Sequence, residues 1–300
     1  MQFDKDNMNN TFVSVVIPTY KDWHRLRLCL EALTKQTFPT DKFEVIVVNN
    51  DPNDSCPFKL PAINIKVITE AKPGSYAARN TGIKIAKGEI LAFTDSDCLP
   101  EKSWLENAMD LFNQNEVVDR IAGEIVFFQA EDTSDLLFLY QSLFSMNQEV
   151  YVKRLGGGIT ANMLAKKTIF DAVGLFNEDL YSGGDNEWGM RANKNGFGVV
   201  YAKDVKVKHP TLNSFKKLLK KKRRTTGGMY QLSIQNSTNL QKTIRIFRQL
   251  KPPIKHIFCL DQKLSVTKKI KLFLIAYALK LICFYELFTL TFLKTERLRQ

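Results

Sequence analysis

The sequence predicts an α/β fold in which a doubly wound, mostly parallel sheet is followed by a basic helical C-terminal extension. Short β-branched apolar runs alternate with segments of helical periodicity up to about residue 130. Polar residues follow several of these runs directly, where doubly wound sheets bind ligands. The charge also changes sign along the chain: residues 1–202 carry 20 Lys and Arg against 27 Asp and Glu, whereas residues 203–300 carry 23 against 4.

The predicted elements alternate in order. The runs Val13 to Ile17 and Phe43 to Val48 are continuous and apolar, which is typical of strands buried on both faces of a parallel sheet. Apolar residues recur at helical spacing between them, which completes a β-α-β unit. Three more strands and two more helices follow: the strands are Ile63 to Ile68, Ile90 to Thr94 and Ile121 to Phe128, and the helices are Tyr76 to Lys87 and about Lys102 to Asn113.

The last apolar segment, residues 272–293, has Lys280 and Glu286 as its only charged residues. At ~1.5 Å per residue it reaches ~33 Å, which is about the thickness of a bilayer core. Each charge near the bilayer centre costs ~2.5–3.5 kcal/mol on insertion scales, so a helix lying in the membrane plane competes with one that spans it. An amphipathic helix packed on the protein is the third possibility.

The basic run at residues 216–224 predicts a helix with cations around most of its surface. Such a helix suits an anionic membrane surface, at about 1 kcal/mol for each nearby cation. The alternative is an ordinary solvated helix. Because the chain carries no recognisable nucleic-acid-binding motif, we do not expect nucleic acid as a partner.

The composition, with 44% hydrophobic and 25% charged residues, is that of a globular protein. No Cys-x-x-Cys pair occurs among the five cysteines, which argues for a reducing compartment and against a zinc site. The first ten residues are polar and lack the pattern of a signal peptide. We therefore expect the acidic body of the chain to be cytoplasmic.

Two carboxylates, Asp95 and Asp97, follow the apolar strand Ile90 to Thr94. In an extended backbone they point the same way, because side-chain direction alternates with a period of two. Convergent carboxylates form a hard-oxygen site suited to Mg²⁺ or Mn²⁺. Since Asp is also common in turns, an ordinary turn is the alternative.

Two further segments combine small residues with a polar side chain. In residues 72–82, small side chains let a helix approach a sheet or ligand closely, and Arg79 offers a planar fork for phosphate oxygens. The alternative is a helix start with a solvated arginine. In residues 183–188, paired glycines precede Asp185. A helix cap alone would explain the aspartate but does not need the glycines.

In this order, these segments resemble the family 2 glycosyltransferases, which are inverting enzymes of the GT-A fold. The resemblance covers residues 12–210. It implies a catalytic domain at 1–211, with a nucleotide-binding half at about 12–98 and an acceptor half at about 99–211, and a membrane-associating region at 212–300. The matching stretches are Val15 to Tyr20, Ala77 to Ile83, Asp95 to Asp97, Gly158 to Ala165, Val173 to Glu178 and Gly184 to Glu187.

The resemblance implies a role for each matching residue. Asp185 would be the general base, and Asp97 the principal ligand of Mg²⁺ or Mn²⁺, with Asp95 and, more weakly, His209 as further ligands. The nucleotide sugar would contact Pro18, Thr19, Tyr20, Asn49, Asp51, Arg79, Asp95 and Ser96. Asn162, Arg223 and Arg224 would contact the diphosphate or the acceptor.

The chain departs from the family pattern in two places. After the second strand the family commonly has an aspartate that recognises the base, whereas this chain reads Asn49-Asn50-Asp51. An amide both donates to and accepts from a base edge, so the change predicts a different nucleotide preference. The usual Glu-Asp pair reads Gly184-Asp185 here, so Asp185 carries the predicted base function without a neighbouring glutamate.

The resemblance therefore implies a metal-dependent, inverting hexosyltransferase that moves a sugar from a nucleoside-diphosphate sugar to an acceptor hydroxyl. The acceptor would be a glycan or a lipid-linked molecule, in the synthesis of cell-surface or secreted polysaccharide or glycolipid. The catalytic domain would lie at the inner face of the cell membrane. A catalytically silent nucleotide-sugar-binding scaffold and a nucleic-acid-binding protein that uses the basic tail are the alternatives.

Overall fold

Eight strands form a single sheet in the computed structural model, which describes residues 11–114, 117–259, 264–293 and 295. Residues 1–10, from which we expect no signal peptide, lie outside these ranges. The strands are β1 (Val13–Thr19), β2 (Phe43–Asn49), β3 (Ile65–Thr69), β4 (Ile90–Thr94), β5 (Leu99–Pro100), β6 (Arg120–Phe128), β7 (Asn162–Lys166) and β8 (Val199–Pro210).

The sheet has the order β3-β2-β1-β4-β7-β6-β8-β5. Its first four strands are parallel, which confirms the predicted doubly wound half. Beyond β4 the pairing turns antiparallel, since β7 runs against both β4 and β6, and β8 runs against β5. Every residue of β1, β2 and β4 is buried, as their continuous apolar sequences require.

Helices cover this sheet in the first of two units, which comprises residues up to 126, 146–178 and 184–210. The helix at Ser75–Ile85 approaches the sheet closely, as the small residues predicted: a Cβ on Gly82 would lie 2.5 Å from Val16 Cγ1. The helices of this unit are α1 (Trp23–Leu33), α2 (Ser75–Ile85), α3 (Trp104–Gln114), α5 (Gln148–Leu155), α6 (Lys167–Val173) and α7 (Gly184–Lys194), with a short 3₁₀ turn at Thr40–Lys42.

The second unit comprises residues 127–145, 179–183 and 211–300. This differs from the expected division after residue 211, which left 127–145 and 179–183 in the catalytic domain. The segment 127–145 belongs here because its helix packs on the C-terminal helices and Gln141 bonds the backbone of Leu212 in both directions. The helices of this unit are α4 (Asp135–Phe144), α8 (Phe215–Met229), α9 (Asn239–Phe247), α10 (Ile254–Phe258) and α11 (Val266–Phe288).

Short irregular turns extend three of these helices. A π turn at Tyr230–Ile234 follows α8, a 3₁₀ turn at Arg248–Leu250 follows α9, and a π turn at Thr289–Leu293 follows α11. A small core of five buried residues, Tyr230, Ile234, Ile246, Leu287 and Leu290, joins these segments. Among the described residues, one helical segment, Val266–Leu293, is long enough and apolar enough to cross a membrane.

Candidate active site

Several of the predicted site residues meet at one edge of the sheet. Because β1, β2 and β4 are parallel, their carboxyl ends lie together, and Thr19 pairs in register with Asn49. Asp95 follows the end of β4 directly. This edge is where doubly wound sheets bind their ligands.

Four potential metal ligands cluster beyond β4: Asp95, Asp97, Cys98 and His209, each of which offers one ligand atom within 4.8 Å of the others. The register brings His209 there, because Leu99 in β5 pairs with Lys208 in β8. His209 Nε2 lies 3.9 Å from Asp97 Oδ1, and Nδ1 lies 2.7 Å from the carbonyl oxygen of Pro210. A proton on Nδ1 would bond that carbonyl and leave Nε2 as a ligand.

The chemistry of this donor set fits Mg²⁺ or Mn²⁺. Carboxylate oxygens suit both ions, and an imidazole nitrogen suits the transition metal. Burial raises the pKa of the Cys98 thiol well above its ordinary value, and the nearby carboxylates of Asp97 and Asp95 raise it further. Mg²⁺ and Mn²⁺ prefer oxygen and nitrogen ligands to a soft thiol, so Asp95, Asp97 and His209 are the residues that would hold the ion.

An arginine pairs with each carboxylate of this cluster. Arg79 Nη2 donates to Asp95 Oδ1, and Arg25 Nη1 lies 3.2 Å from Asp97 Oδ2. Arg79 is only 4% exposed, so the alternative of a solvated charge is wrong for it. Its Nε is buried without a hydrogen-bond partner, and a phosphate oxygen would satisfy that donor. Sequence analysis missed Arg25, because nothing in a single sequence links it to a carboxylate 72 positions later.

The end of β1 offers groups for a nucleotide. Pro18 and Thr19 are buried, and Thr19 Oγ1 has no hydrogen-bond partner. The ring of Tyr20 is half exposed and provides a face for stacking. Ser96 donates to Asp22 Oδ2 over 3.3 Å, which ties the loop after β1 to the segment that carries the metal carboxylates.

Asn49 has a different role from the one expected for it. Its Nδ2 donates to the carbonyl oxygens of Asp51 and Asp54, at 2.8 and 2.7 Å, and its Oδ1 accepts from the Asp51 backbone N–H. The amide thus holds the loop after β2 and has little left for a base edge. Asp51 remains the acidic group at this edge, with Lys21 Nζ 3.4 Å from its Oδ2.

The expectation that Asn162 contacts a diphosphate or acceptor is not supported by its position. Asn162 is fully buried in β7. Its Oδ1 accepts from the Trp104 indole over 2.8 Å, and its Nδ2 donates to the carbonyl oxygens of Glu124 and Val205. With both ends of the amide used, Asn162 is a structural residue of the sheet.

Arg223 and Arg224 contact other residues of the second unit. Arg223 Nε lies 2.7 Å from Glu286 Oε2, and Arg224 Nη1 donates to the Tyr181 carbonyl over 3.5 Å. Both contacts lie within the unit that carries the two arginines. A diphosphate or acceptor contact for them stays a prediction.

Asp185 lies in the first turn of α7 and is 7% exposed. Its Oδ1 accepts from the Asn186 N–H over 2.9 Å and from the Tyr76 hydroxyl over 3.3 Å, and its Oδ2 accepts from the Thr160 N–H over 3.4 Å. Contacts from three separate segments are more than a helix cap requires. They orient the carboxylate and leave a lone pair on Oδ2.

Burial raises the pKa of Asp185 above its ordinary value. The Arg79 guanidinium opposes this rise, as do the two backbone N–H groups, while Asp95 adds a small increase. A buried carboxylate with a raised pKa close to a metal-binding cluster is the arrangement expected of a general base.

The glycine before Asp185 is explained by Tyr76. A Cβ on Gly184 would lie 2.8 Å from Tyr76 Cε2, so the tyrosine ring occupies the space into which a side chain at 184 would extend. The ring is buried, and the Arg79 guanidinium lies 5.8 Å from its centroid. A tyrosine from α2 therefore fills the space beside Asp185 that a side chain at 184 would need. Tyr76 lies in the segment singled out by sequence, but no pattern linked it to Asp185.

We expect Tyr76→Phe to lower kcat several-fold with little change in the KM for the donor. Phenylalanine keeps the ring against Gly184 but removes the hydroxyl that donates to Asp185 Oδ1. Losing that donor destabilises the ionised carboxylate, so the acidic limb of the kcat profile should move to higher pH. Steady-state rates across pH test this.

Tyr151→Phe is the matched control for Tyr76→Phe. Burial raises the pKa of the Tyr151 phenol, and the nearby carboxylate of Asp185 raises it further. In the described structure, however, Tyr151 makes no hydrogen bond to Asp185, whereas Tyr76 does. An unchanged pH profile in Tyr76→Phe, or the same shift in the control, would contradict a positioning role for Tyr76.

Comparison with known proteins agrees with the resemblance drawn from the sequence. Glycosyl transferase family 2 matches residues 14–174. The chain is 34% identical over 241 residues to Glycosyltransferase AglE of Haloferax volcanii, with 78% of each chain covered. It is 24% identical over 234 residues, 70% of each chain, to the dolichyl N-acetyl-α-D-glucosaminyl phosphate 3-β-D-2,3-diacetamido-2,3-dideoxy-β-D-glucuronosyltransferase of Methanococcus voltae.

Among solved structures, the mannosyltransferase PcManGT from Pyrobaculum calidifontis, in complex with GDP-Man and Mn²⁺, has a TM-score of 0.63. The match covers 96% of this chain and 88% of that one, at 15% sequence identity. At this identity the likeness shows the shared fold.

Proposed function

Since the chain belongs to glycosyl transferase family 2, we propose that this glycosyltransferase works by metal-dependent inversion, with a nucleoside-diphosphate sugar as donor and an acceptor hydroxyl as nucleophile. The observation that carries the proposal is the convergence of two unlike groups at one sheet edge. The candidate metal ligands Asp95, Asp97 and His209 lie there. Asp185 forms a buried carboxylate that accepts from Tyr76, whose ring contacts the same Arg79 guanidinium that bonds Asp95. Inverting transfer needs both kinds of group.

Asp185 acts as the general base for the acceptor hydroxyl. As the bond from the acceptor oxygen to the anomeric carbon forms and the bond to the diphosphate breaks, the acceptor hydroxyl loses a proton to this carboxylate. The hydroxyl of Tyr76 and the N–H groups of Thr160 and Asn186 hold the carboxylate in place. The pKa that burial raises makes it a better proton acceptor than an exposed aspartate.

Arg79 binds the leaving diphosphate. Its buried guanidinium bonds Asp95 and keeps Nε free for an oxygen of the diphosphate. When bound, Mg²⁺ or Mn²⁺ would neutralise charge that develops on the diphosphate. Thr19, Tyr20 and Asp51 border the space for the nucleoside. Orientation and electrostatics together supply most of the rate enhancement in such a site.

The comparisons support the choice of donor, metal and acceptor. PcManGT binds GDP-Man and Mn²⁺, and the name of the Methanococcus voltae relative describes an acceptor linked to dolichyl phosphate. We therefore assign this chain a glycan or lipid-linked acceptor, and a lipid-linked acceptor would be used at a membrane. The basic C-terminal residues would hold the enzyme at the anionic inner face of the cell membrane, with the catalytic unit in the cytoplasm.

A thermal-shift panel of nucleoside-diphosphate sugars, with and without Mn²⁺, tests this proposal. We expect one donor class to raise the melting temperature, by a larger amount when Mn²⁺ is present, because the metal and the diphosphate bind together. The donor that stabilises the enzyme should then be consumed in the presence of a lipid-linked acceptor. Stabilisation without transfer to a broad set of acceptors would support the silent scaffold. No stabilisation by any donor would contradict the proposal.

A further inference from the structure

The long helix α11 presents two different faces. Its buried residues lie on one face, and its exposed apolar residues lie on the opposite one. The buried set, Leu272, Leu279, Cys283, Glu286 and Leu287, packs on the second unit. We define the exposed stripe as Val266, Ile270, Leu274, Leu281, Tyr285 and Phe288. At 3.6 residues per turn the six positions of the stripe fall within an arc of about 100°.

This exposed stripe is large and unusual for a soluble surface. Leu274 is 60% exposed and Tyr285 is 58% exposed. Isolated apolar residues on a surface need no explanation, but six exposed apolar residues on one side of a helix, along about six turns, do. The stripe therefore indicates a surface that is covered in the working protein.

Other helices of the second unit extend the stripe. The exposed ring of Phe247 in α9 contacts Phe284 at 5.7 Å between centroids. Phe284 contacts Phe288 at 5.9 Å, and Phe288 contacts Phe292 at 5.0 Å. Leu240 and Ile244, at helical spacing before Phe247, are also exposed. The apolar surface thus spreads over two helices.

Contacts on its other face hold α11 to the unit. Arg223 Nε lies 2.7 Å from Glu286 Oε2, and the carboxylate of Glu286 is buried. A further contact lies within the arc of the stripe, where the Tyr277 hydroxyl donates to the carbonyl of Leu250 over 3.2 Å. A helix that left this packing to cross a bilayer would carry an unpaired glutamate into hydrocarbon, which is unfavourable. The structure favours a helix that stays on the unit.

Cations border the stripe. By helical geometry, Lys269 and Lys280 flank it on one side and Lys271 flanks it on the other. Residues 212–293 carry 17 Lys and Arg against two acids, Asp261 and Glu286. This excess opposes pairing with a second copy of the same surface, since like charges would face each other. It attracts anionic lipid headgroups.

We propose that the second unit binds an anionic bilayer from one side, with α11 lying in the membrane plane and its exposed stripe, together with the exposed face of α9, buried at the boundary between headgroups and acyl chains. The flanking lysines contact lipid phosphates. The proposal rests on the membrane association in the proposed function, and it selects the in-plane arrangement over a spanning helix.

Sedimentation of the full-length protein with vesicles tests the lipid surface. We expect wild type to bind vesicles that contain an anionic lipid and to bind zwitterionic vesicles weakly. The double variant Leu274→Glu with Tyr285→Glu should lose at least ten-fold in vesicle affinity. The matched control is Leu28→Glu with Ile85→Glu, two exposed apolar residues of the first unit, and it should bind like wild type.

Several results would overturn the proposal. Wild-type-like vesicle binding by the stripe variant would do so if its melting temperature and circular dichroism match those of wild type. Failure of the wild-type protein to bind anionic vesicles at low salt would also overturn it. A wild type that self-associates through the stripe, with lipid binding unchanged in the stripe variant, would assign the surface to a second copy. Donor stabilisation in the thermal-shift panel reports on the proposed function separately, so the two can fail independently.

Labelling of the two ends of α11 distinguishes an in-plane helix from a spanning one. Cysteines are introduced as Ser265→Cys and Thr295→Cys, in a chain with Cys259→Ser, and inside-out membrane vesicles are treated with a membrane-impermeant thiol reagent. Mass spectrometry then identifies the labelled peptides. We expect both ends to react, because both lie on the cytoplasmic side. Reaction at one end alone would show a spanning helix and overturn the in-plane arrangement.

Discussion

Asp185→Asn should lower kcat by at least about a hundred-fold while donor binding stays near that of wild type, since a positioned base contributes roughly 10²–10⁴-fold. Asparagine fills the same space and can keep the backbone contacts of Asn186 and Thr160, but it cannot take a proton. Single-turnover transfer rates, measured beside calorimetric donor affinity, test the two halves of the expectation. Turnover like that of wild type would remove Asp185 from the role.

The control for Asp185→Asn is Glu187→Gln on the same helix. Glu187 is the other carboxylate of this segment, and it pairs with Arg191 at 2.6 Å instead of with site residues. Its change from acid to amide should leave kcat within a few-fold of wild type. A large loss in both variants would indicate that the helix α7, and not the carboxylate of Asp185, had been disturbed.

The stability of Asp185→Asn should move in the opposite direction to its activity. Burial raises the pKa of Asp185 in the folded state, so its favourable contribution is present at low pH and is lost as pH rises through that raised pKa. Asparagine does not ionise. We therefore expect the variant to melt at or above the temperature of wild type at pH 8, with the difference shrinking as pH falls. A lower melting temperature at pH 8 would point to a structural role.

Asp97→Asn should reduce transfer on the order of 10²–10³-fold and remove the dependence of donor binding on Mn²⁺. Asp97 lies between the imidazole of His209, at 3.9 Å, and the guanidinium of Arg25, at 3.2 Å. An amide oxygen is a weaker ligand than a carboxylate, so the ion would bind poorly. Titrations of nucleoside diphosphate with and without Mn²⁺ measure the effect.

Asp110→Asn, at an exposed position in α3, is the control for charge alone. It should keep the Mn²⁺ dependence of wild type. Chelation of divalent metal from wild type should reproduce the loss seen in Asp97→Asn, and Mn²⁺ should restore it. Full Mn²⁺-dependent transfer by Asp97→Asn would rule out Asp97 as the principal ligand.

Local patterns predicted the secondary structure well, because strand and helix periodicity is a property of neighbouring residues. The third strand was expected at Ile63 to Ile68 and lies at Ile65–Thr69, and the helix expected at Tyr76 to Lys87 lies at Ser75–Ile85. Asp95 and Asp97 were recognised from the strand that precedes them. The role expected for Asn162 was not supported, since a sequence does not show that both ends of an amide are already bonded inside the sheet.

The partners of the site residues depend on long-range packing. Tyr76 and Asp185 are 109 positions apart, and their contact exists only because α2 and α7 meet beside the sheet. The register of β5 and β8 brings His209 to Asp97. No pattern of neighbouring residues encodes either distance.

By itself, the sequence determined the family, the order of strands and helices up to about residue 130, the pair of carboxylates after β4 and the division into an acidic body and a basic tail. These features depend on local composition and spacing. Tertiary structure alone decided that the Tyr76 ring packs against Gly184 and bonds Asp185, and that Arg79 is buried with its Nε unbonded. It also decided that α11 buries one face and exposes the other. Each of these depends on which side chains fill the space between elements distant in the chain, and only packing settles that.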